Sequence, residues 1–186
     1  MIRRVHVHRF AAFLRAINVG GHVVTMEDLR RHVAKAGATE VETFIASGNV
    51  IFGWPSDEPH RAEAKIQEGL RKALGYDVKT FIRRPSEVAA IARYRPFSER
   101  AMQAARVLVV GFLSEPLDGA ATDTLMSFTS DVDDFHTSGR EIYWLCKVGQ
   151  SESPFFKIKS EKRLGVQATL RNMNTIQRLV TKYDWT

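Results

Sequence analysis

The order in which strand-like and helical segments alternate limits the fold of this chain more than any other feature of its sequence. In the first half, two segments with helical periodicity separate runs typical of strands, and turn residues close each of them. The predicted strands are 5–14, 41–46, 50–54 and 78–83, and the predicted helices lie between 25 and 37 and between 55 and 75. This β-α-β-β-α-β order is that of a ferredoxin-like unit, or α/β plait.

Residues suited to helix ends mark where these two helices start and stop. Thr25 has a hydroxyl that can cap a first turn, and Asp28 follows three residues later as the acid of a weak capping box. Gly37 and Gly75 follow the last apolar residues of the two helical patterns, where glycine commonly ends a helix. The Ser-Gly-Asn triplet at 47–49 joins the two middle strands and predicts a hairpin.

The second half of the chain repeats this order. It follows a short helix predicted from Ser86 to about Tyr94 and a break at 95–98. The predicted strands are 106–113, 132–137, 141–146 and 166–170, and the predicted helices are 120–128, 154–164 and 173–183. We therefore expect an α+β protein of two ferredoxin-like subdomains with additional helices. The first subdomain would span 1–97, and the second, with its closing helix, 98–186.

Length and composition describe an ordinary globular chain. Its 186 residues, 44% of them hydrophobic, are enough to bury a substantial core. No apolar run approaches the roughly 18 residues of a membrane-spanning helix, and the first residues lack the apolar segment of a secretion signal. Cys146 is the only cysteine, and its apolar neighbours are typical of a buried thiol rather than a nucleophile. We expect a cytoplasmic protein with no membrane partner.

The net charge of +6, with 18 arginines against 9 lysines, favours a phosphate-bearing partner. Arginine can bind a phosphate through two parallel hydrogen bonds. However, the arginine pairs at 3–4, 30–31 and 83–84 are scattered, and no run of five like charges marks a nucleic-acid patch. A nucleic-acid partner is therefore a hypothesis without a motif, and the same charge fits an ordinary solvated surface.

Two short polar segments lie at the ends of strands in the first half. In a βαββαβ sheet the first strand runs antiparallel to the third, so the end of one meets the start of the other. This topology places segment 15–21 beside segment 47–49, at the edge where the first helix begins. Arginine, asparagine and serine on a glycine-rich backbone near a helix N-terminus suit an anionic ligand. The predicted ligand-binding residues here are Arg15, Asn18, Gly20, Gly21, Ser47 and Asn49.

The same residue types also build plain turns, because glycine and asparagine tolerate positive φ angles. Neither a GxxxxGK[ST] phosphate loop nor a GxGxxG dinucleotide motif is present in the sequence. Turn formation alone and ligand contact both stay open as interpretations of this edge.

A second polar cluster lies at the start of the last predicted helix. Asn172 is placed to cap that helix, and either Asn174 or Thr175 to tie its first turn. Arg171 is not explained by capping, because a cation at a helix N-terminus opposes the helix dipole. It indicates an anionic ligand, or an internal carboxylate such as Glu152 or Glu161. We therefore add Arg171, Asn172 and Asn174 to the predicted ligand-binding residues.

Catalytic and metal-binding patterns are weak. His6 and His8 would share one face of a strand, but no spacing supplies a third metal ligand. The acidic segment 131–134 lacks the glycine and the terminal glutamate of an EF-hand and fits the start of a strand. Ser138 lies in a turn without the GxSxG pattern of a nucleophile elbow. The sequence predicts no metal, no cofactor and no particular reaction.

Four segments, FLRAINVGG, MEDLRRHVAKAG, VETFIASGNVIF and ATLRNMNTIQRL, occur in this order. Together they resemble the uncharacterised bacterial family catalogued as domain of unknown function 1697. The resemblance implies paired α/β plaits of ferredoxin-like type, and it implies no activity. Ala16 stands where the family usually has glycine, and Met173 where an aromatic residue is common. We expect from these departures that backbone freedom at position 16 is dispensable and that position 173 has no stacking role.

Three functions remain open, and we favour the first. It is the binding of a phosphate-bearing or other anionic small ligand, a nucleotide being one candidate, at the edge formed by the first strand and the hairpin. The second is RNA binding by an open sheet face, although Phe44, Phe52 and Phe81 fit a core better than a stacking platform. The third is a structural or protein-partner module without catalysis.

Overall fold

The computed structural model describes residues 7–18, 23–158 and 160–185. The chain divides into two compact units, Met1–Ala89 with Tyr183–Thr186 and Ala90–Lys182. The sequence-based boundary was 97/98, and the division seen here falls within the helix that follows the first sheet. No helix in the described ranges is both long and apolar enough to cross a membrane.

The first unit contains a four-stranded antiparallel sheet and two helices. Its elements in chain order are β1 (His8–Leu14), α1 (Met26–Lys35), β2 (Thr39–Thr43), β3 (Asn49–Trp54), α2 (Pro59–Leu74) and β4 (Thr80–Arg83). The strand order is β2-β3-β1-β4, and every pairing is antiparallel. The β-α-β-β-α-β prediction is confirmed for this half. A further helix, α3 (Pro85–Arg93), follows the sheet.

Helical periodicity explains how the first unit forms its core. Leu29 and Val33 of α1 lie four residues apart and are buried. The same spacing in α2 buries Ala62, Ile66 and Leu70, all with no exposed surface. Burying a large aliphatic side chain stabilises a fold by about 1.5–3 kcal/mol, so the amphipathic pattern holds both helices on the sheet.

The helix ends lie where the sequence predicted them. The hydroxyl of Thr25 accepts a hydrogen bond of 3.0 Å from the backbone N–H of Asp28, which caps α1. Gly75 ends α2 in the left-handed conformation, with φ 80°, and its N–H donates to the carbonyl of Arg71.

The second unit repeats the topology of the first. After α4 (Glu99–Ala104), its elements are β5 (Val107–Phe112), α5 (Gly119–Met126), β6 (Asp133–Ser138), β7 (Glu141–Cys146), α6 (Pro154–Lys157), α7 (Ser160–Leu164), β8 (Thr169–Asn172) and α8 (Met173–Tyr183). The strand order β6-β7-β5-β8 corresponds to that of the first sheet. The predicted α+β class with two ferredoxin-like units is therefore confirmed.

Two helical segments of the second unit differ from the prediction. The helix expected over 154–164 is divided into α6 and α7, because Ile158 takes an extended backbone with ψ 150°. The break expected at 95–98 leads into α4, which the Ser98 hydroxyl caps by accepting from the N–H of Ala101. The first difference opens part of the sheet face, as described below.

The hairpin glycine Gly48 provides a test of this fold. Its φ is +71°, and an added Cβ would lie 3.0 Å from Ile17 Cγ2 and 3.2 Å from Leu14 Cβ. Gly75 has a similar φ of +80°, with no described atom within 4 Å of an added Cβ. The two positions therefore share backbone strain and differ in steric space.

We expect Gly75→Ala to lower the free energy of unfolding by about 1 kcal/mol and Gly48→Ala to lower it by about 3 kcal/mol. Urea denaturation followed by circular dichroism measures both. Equal losses in the two variants would contradict the packing of Gly48 described here.

Candidate functional site

The first strand and the hairpin meet at one edge of the first sheet, as the topology predicted. Phe13 of β1 pairs with Asn49 of β3, and the N–H of Leu14 donates to the carbonyl of Gly48 at 2.8 Å. Ser47 is exposed beside them, and Arg15 is half-buried. The structure thus brings these predicted residues together, while Gly20 and Gly21 lie outside the described residues.

Asn49 belongs to the interior of the hairpin. Its side chain has no exposed surface. The amide nitrogen donates to the carbonyl of Phe44 at 2.9 Å and to the hydroxyl of Ser47 at 2.8 Å. A buried amide satisfied in this way holds the turn closed, so the geometry favours turn formation for Asn49.

Asn18 is also engaged by the backbone. Its side-chain oxygen accepts a hydrogen bond of 2.7 Å from the N–H of Val24. Beside it, the N–H of Arg15 donates to the carbonyl of Lys79, which ties the end of β1 to the residue before β4. The amide groups of this edge therefore serve local structure.

Ala16 corrects one expectation. Its φ is +55°, in the left-handed region that glycine favours. The backbone at this position therefore takes the left-handed conformation even though alanine stands where glycine is common. The backbone at position 16 retains it at the energetic cost of an L-residue.

The strand before α8 is the second correction, because it includes Arg171, which the sequence analysis placed after the strand and at the start of the helix. β8 occupies Thr169–Asn172 and not 166–170, since its ladder pairs Val110 of β5 with Arg171. Arg171 is 8% exposed, and its guanidinium donates to the hydroxyl of Thr169 and to the carbonyl of Leu170, both at 2.8 Å. Burial lowers the pKa of Arg171 to about 10, so it stays protonated at neutral pH.

The two carboxylates suggested as partners of Arg171 accept backbone hydrogen bonds. Glu152 accepts from the N–H of Gly149, and Glu161 from the N–H of Ala168, each at 3.0 Å. Each carboxylate therefore supports the backbone beside it.

The second polar cluster lines a cavity at the start of α8, which we call the α8 cavity. Its volume is about 200 Å³. The residues that line it are Met102, Ala105, Arg106, Val107, Leu108, Asn172, Met173, Asn174 and Gln177. The side-chain oxygen of Asn172 accepts from the N–H of Asn174 at 2.9 Å, which confirms the predicted cap. Asn172 and Asn174 are thus brought together with an arginine that the sequence reasoning had not selected.

The charge of the α8 cavity is positive. Among the described residues of its lining, Arg106 alone carries a formal charge, and this residue is exposed. The first turn of α8 contains no acidic residue, so the positive end of the helix dipole is not offset there. This combination favours a negatively charged group.

Sequence reasoning missed Arg106 and Gln177, and only Gln177 left a signal in the sequence itself. Gln177 follows Asn174 by three residues, which places the two on one face of a helix. Arg106 comes directly before β5, and β8, the antiparallel neighbour of β5, ends at Asn172. Antiparallel pairing therefore brings Arg106 close to that end.

The acidic segment 131–134 has a structural role that the sequence did not reveal. Asp133 is buried and accepts a hydrogen bond of 2.7 Å from the indole N–H of Trp144. The Ser153 hydroxyl lies 2.9 and 2.8 Å from its two carboxylate oxygens. The start of a strand at Asp133 is as predicted, and the described residues contain no group of three His, Cys, Asp or Glu side chains arranged for a metal. His6 lies outside the described residues.

Cys146 is buried, as predicted. Burial raises the pKa of its thiol most strongly, a backbone hydrogen bond from Val148 partly offsets this, and the nearby Asp133 carboxylate raises the pKa again. The thiol also donates to the carbonyl of Val148 at 3.2 Å. A neutral, inaccessible thiol is a poor nucleophile.

Comparison with known proteins agrees with this architecture of two ferredoxin-like units. The chain matches the family described as "Protein of unknown function (DUF1697)" over residues 7–143, and it belongs to that family. The match ends before β8, so the α8 cavity lies partly beyond it. No curated protein matches the chain.

A similar solved structure is that of the conserved bacterial protein SP0830 from Streptococcus pneumoniae. The two chains are 20% identical, the TM-score is 0.74, and the likeness covers 95% of this chain and 99% of that one. Identity at this level supports a shared fold and nothing finer.

The role of Asn49 can be measured. Asn49→Ala leaves the buried carbonyl of Phe44 without its amide donor, so we expect the free energy of unfolding to fall by about 2–3 kcal/mol. Ser47→Ala removes one exposed acceptor and should cost less than about 1 kcal/mol. Urea denaturation of both variants decides the matter. Equal losses of unfolding free energy in the two variants would contradict a role of the Asn49 side-chain amide in holding the hairpin closed.

The thiol of Cys146 provides a second test. We expect it to react with 5,5′-dithiobis(2-nitrobenzoate) at least about 100-fold more slowly in the native protein than in concentrated urea, because reaction requires transient opening. Absorbance of the released thiolate measures both rates. Similar rates in the two conditions would contradict the buried position of Cys146.

Proposed function

We propose that the protein binds a small anionic ligand, such as a phosphate-bearing metabolite, in the α8 cavity. One observation carries the proposal: a concave site combines Arg106 with the amides of Asn172, Asn174 and Gln177. No acidic residue lines it in the part of the chain that the structure describes. Arginine and amide side chains are the groups that bind phosphate and carboxylate oxygens.

The size of the cavity limits what it can enclose. Its volume of about 200 Å³ lies below the roughly 300–1,000 Å³ of pockets that bury a drug-sized ligand. It fits one phosphate or carboxylate group with a short attached carbon skeleton. A nucleotide would place its phosphate here and leave its base outside.

The edge between β1 and the hairpin was the site favoured from sequence, and it remains the alternative location. The amides of Asn18 and Asn49 are occupied by backbone groups, which weakens the case for ligand contact there. Substitution of Arg15 tests whether an anion binds at that edge, as described below.

RNA binding receives less support than a small ligand. Phe44, Phe52 and Phe81 are 8%, 0% and 0% exposed, which confirms their assignment to the core. They offer no open surface on which bases could stack. The buried thiol of Cys146 is compatible with a reducing compartment, so we include a cytoplasmic location in the proposal.

The proposal predicts stabilisation by phosphate. At a hundredfold excess over its dissociation constant, a ligand contributes about 2.7 kcal/mol, enough to raise the midpoint of thermal unfolding by about 5 °C or more. We expect Arg106→Gln and Asn174→Ala to abolish most of this shift. Differential scanning fluorimetry with potassium phosphate against potassium chloride of equal ionic strength measures it.

Two further variants separate the outcomes. Arg93→Gln removes the same charge from an exposed position on α3 and should leave the shift unchanged. Arg15→Ala should also leave it unchanged. Loss of the shift in Arg15→Ala alone would move the site to the hairpin edge, and absence of any anion-specific shift would contradict the proposal and favour the structural or partner module.

A further inference from the structure

A second, apolar cavity lies in the second unit between the sheet and the segment that contains α6 and α7. We call it the apolar cavity, and its volume is about 430 Å³. The residues that line it are Gly111, Ile142, Trp144, Phe155, Phe156, Ile158, Ser160, Glu161, Lys162, Leu164, Val166, Ala168 and Leu170. The polar residues among these are Ser160, Glu161 and Lys162, which are consecutive in the chain. The other lining residues are glycine or apolar.

The first unit shows what normally covers this part of the sheet. There, Ala12 of β1 pairs with Val50 and Ile82, and these three residues are at most 1% exposed. The continuous, 16-residue helix α2 packs in the same core cluster.

In the second unit the corresponding position stays open. Gly111 of β5 pairs with Ile142 and Leu170, and Leu170 is 39% exposed. The covering segment here is divided at Ile158 into two short helices. The cavity thus occupies the place where the first unit has a packed helix.

Gly111 keeps the floor of the cavity free. An added Cβ would lie 3.1 Å from Leu170 Cδ2 and 3.4 Å from Ile142 Cβ, both of which belong to the lining. A side chain at this position would therefore project into the space between them.

Hydrogen bonds of buried groups fix the wall of the cavity. The Asp133 carboxylate binds the indole N–H of Trp144 and the hydroxyl of Ser153. The same hydroxyl accepts from the N–H of Phe155 at 3.0 Å, which starts α6. Trp144 and Phe155 are therefore held in place before any ligand arrives, and a preformed wall lowers the entropy cost of binding.

The charge around the cavity is positive. Among the described residues of 154–164, three are lysine or arginine and one is acidic, Glu161, whose carboxylate accepts from the N–H of Ala168. Lys162 is exposed and lines the cavity, and Lys157 is exposed one residue before Ile158. An apolar wall beside exposed ammonium groups is complementary to a molecule with an apolar body and an anionic head.

We propose that the apolar cavity binds an anionic amphiphile, a molecule with an acyl or aromatic body and a carboxylate or similar head group. A dry cavity of 150 Å³ holds a benzene ring in another protein, so about 430 Å³ admits roughly fifteen non-hydrogen atoms. The apolar body lies over Gly111 and Leu170, and the head group reaches Lys162. The inference is independent of the α8 cavity and its anion.

Fluorescence of 8-anilinonaphthalene-1-sulfonate, an aromatic anion, tests this assignment. We expect saturable binding to the native protein, displacement by decanoate, and at least about tenfold weaker displacement by decyltrimethylammonium, which carries the opposite charge. Gly111→Val fills the floor and should weaken both anions by at least about tenfold. Phe156→Ser removes a wall residue that is 55% exposed, so it tests the same site with little risk to folding.

Charge variants test the head group. Lys162→Gln should weaken decanoate binding several-fold and leave decanol binding unchanged. Lys65→Gln, an equal change at an exposed position of α2 in the first unit, should alter neither. Circular dichroism of each variant confirms folding. Unchanged binding in folded Gly111→Val and Phe156→Ser would overturn the site, and equal binding of decanoate and decyltrimethylammonium would overturn the anionic assignment.

Discussion

Coverage of one face of each antiparallel sheet by helices is the constraint on which both units depend. In the first unit α2 supplies three fully buried side chains at helical spacing, and the face is closed. In the second unit the equivalent stretch changes direction at Ile158, and the sheet stays open over Gly111. The same topology therefore produces a packed core in one unit and a cavity in the other.

Polar residues that attract attention in the sequence are largely used to satisfy buried backbone groups. Asn49 closes a hairpin, and Asn18 accepts from a loop N–H. Asp133 joins Trp144 to Ser153. Leaving such groups unpaired costs about 1–3 kcal/mol each, so the fold itself accounts for them. The α8 cavity differs in part: Asn172 also accepts from a backbone N–H, but Arg106, Asn174 and Gln177 line open space beside it.

The sequence predicted features whose cause is local. Thr25 and Gly75 end their helices through hydrogen bonds within a few residues, and the strand order follows from alternation and turns. Prediction from sequence was wrong where pairing between distant strands determines the structure. Because β8 pairs with β5 through Asn172, the strand extends beyond its predicted end and includes Arg171. No local pattern in the sequence links Arg106 to Asn174. Ala16 shows a third limit, because its left-handed φ is imposed by its surroundings against residue preference.

The central claim is that an anion binds at the start of α8 rather than at the hairpin edge. The most direct measurement is a series of ¹⁵N–¹H correlation spectra of the labelled protein during titration with phosphate at constant ionic strength. Binding in the α8 cavity should produce saturable shifts centred on the amides of Arg106, Asn172 and Asn174. Largest shifts at Arg15, Asn18 and Gly48, or no saturable shift anywhere, would contradict it.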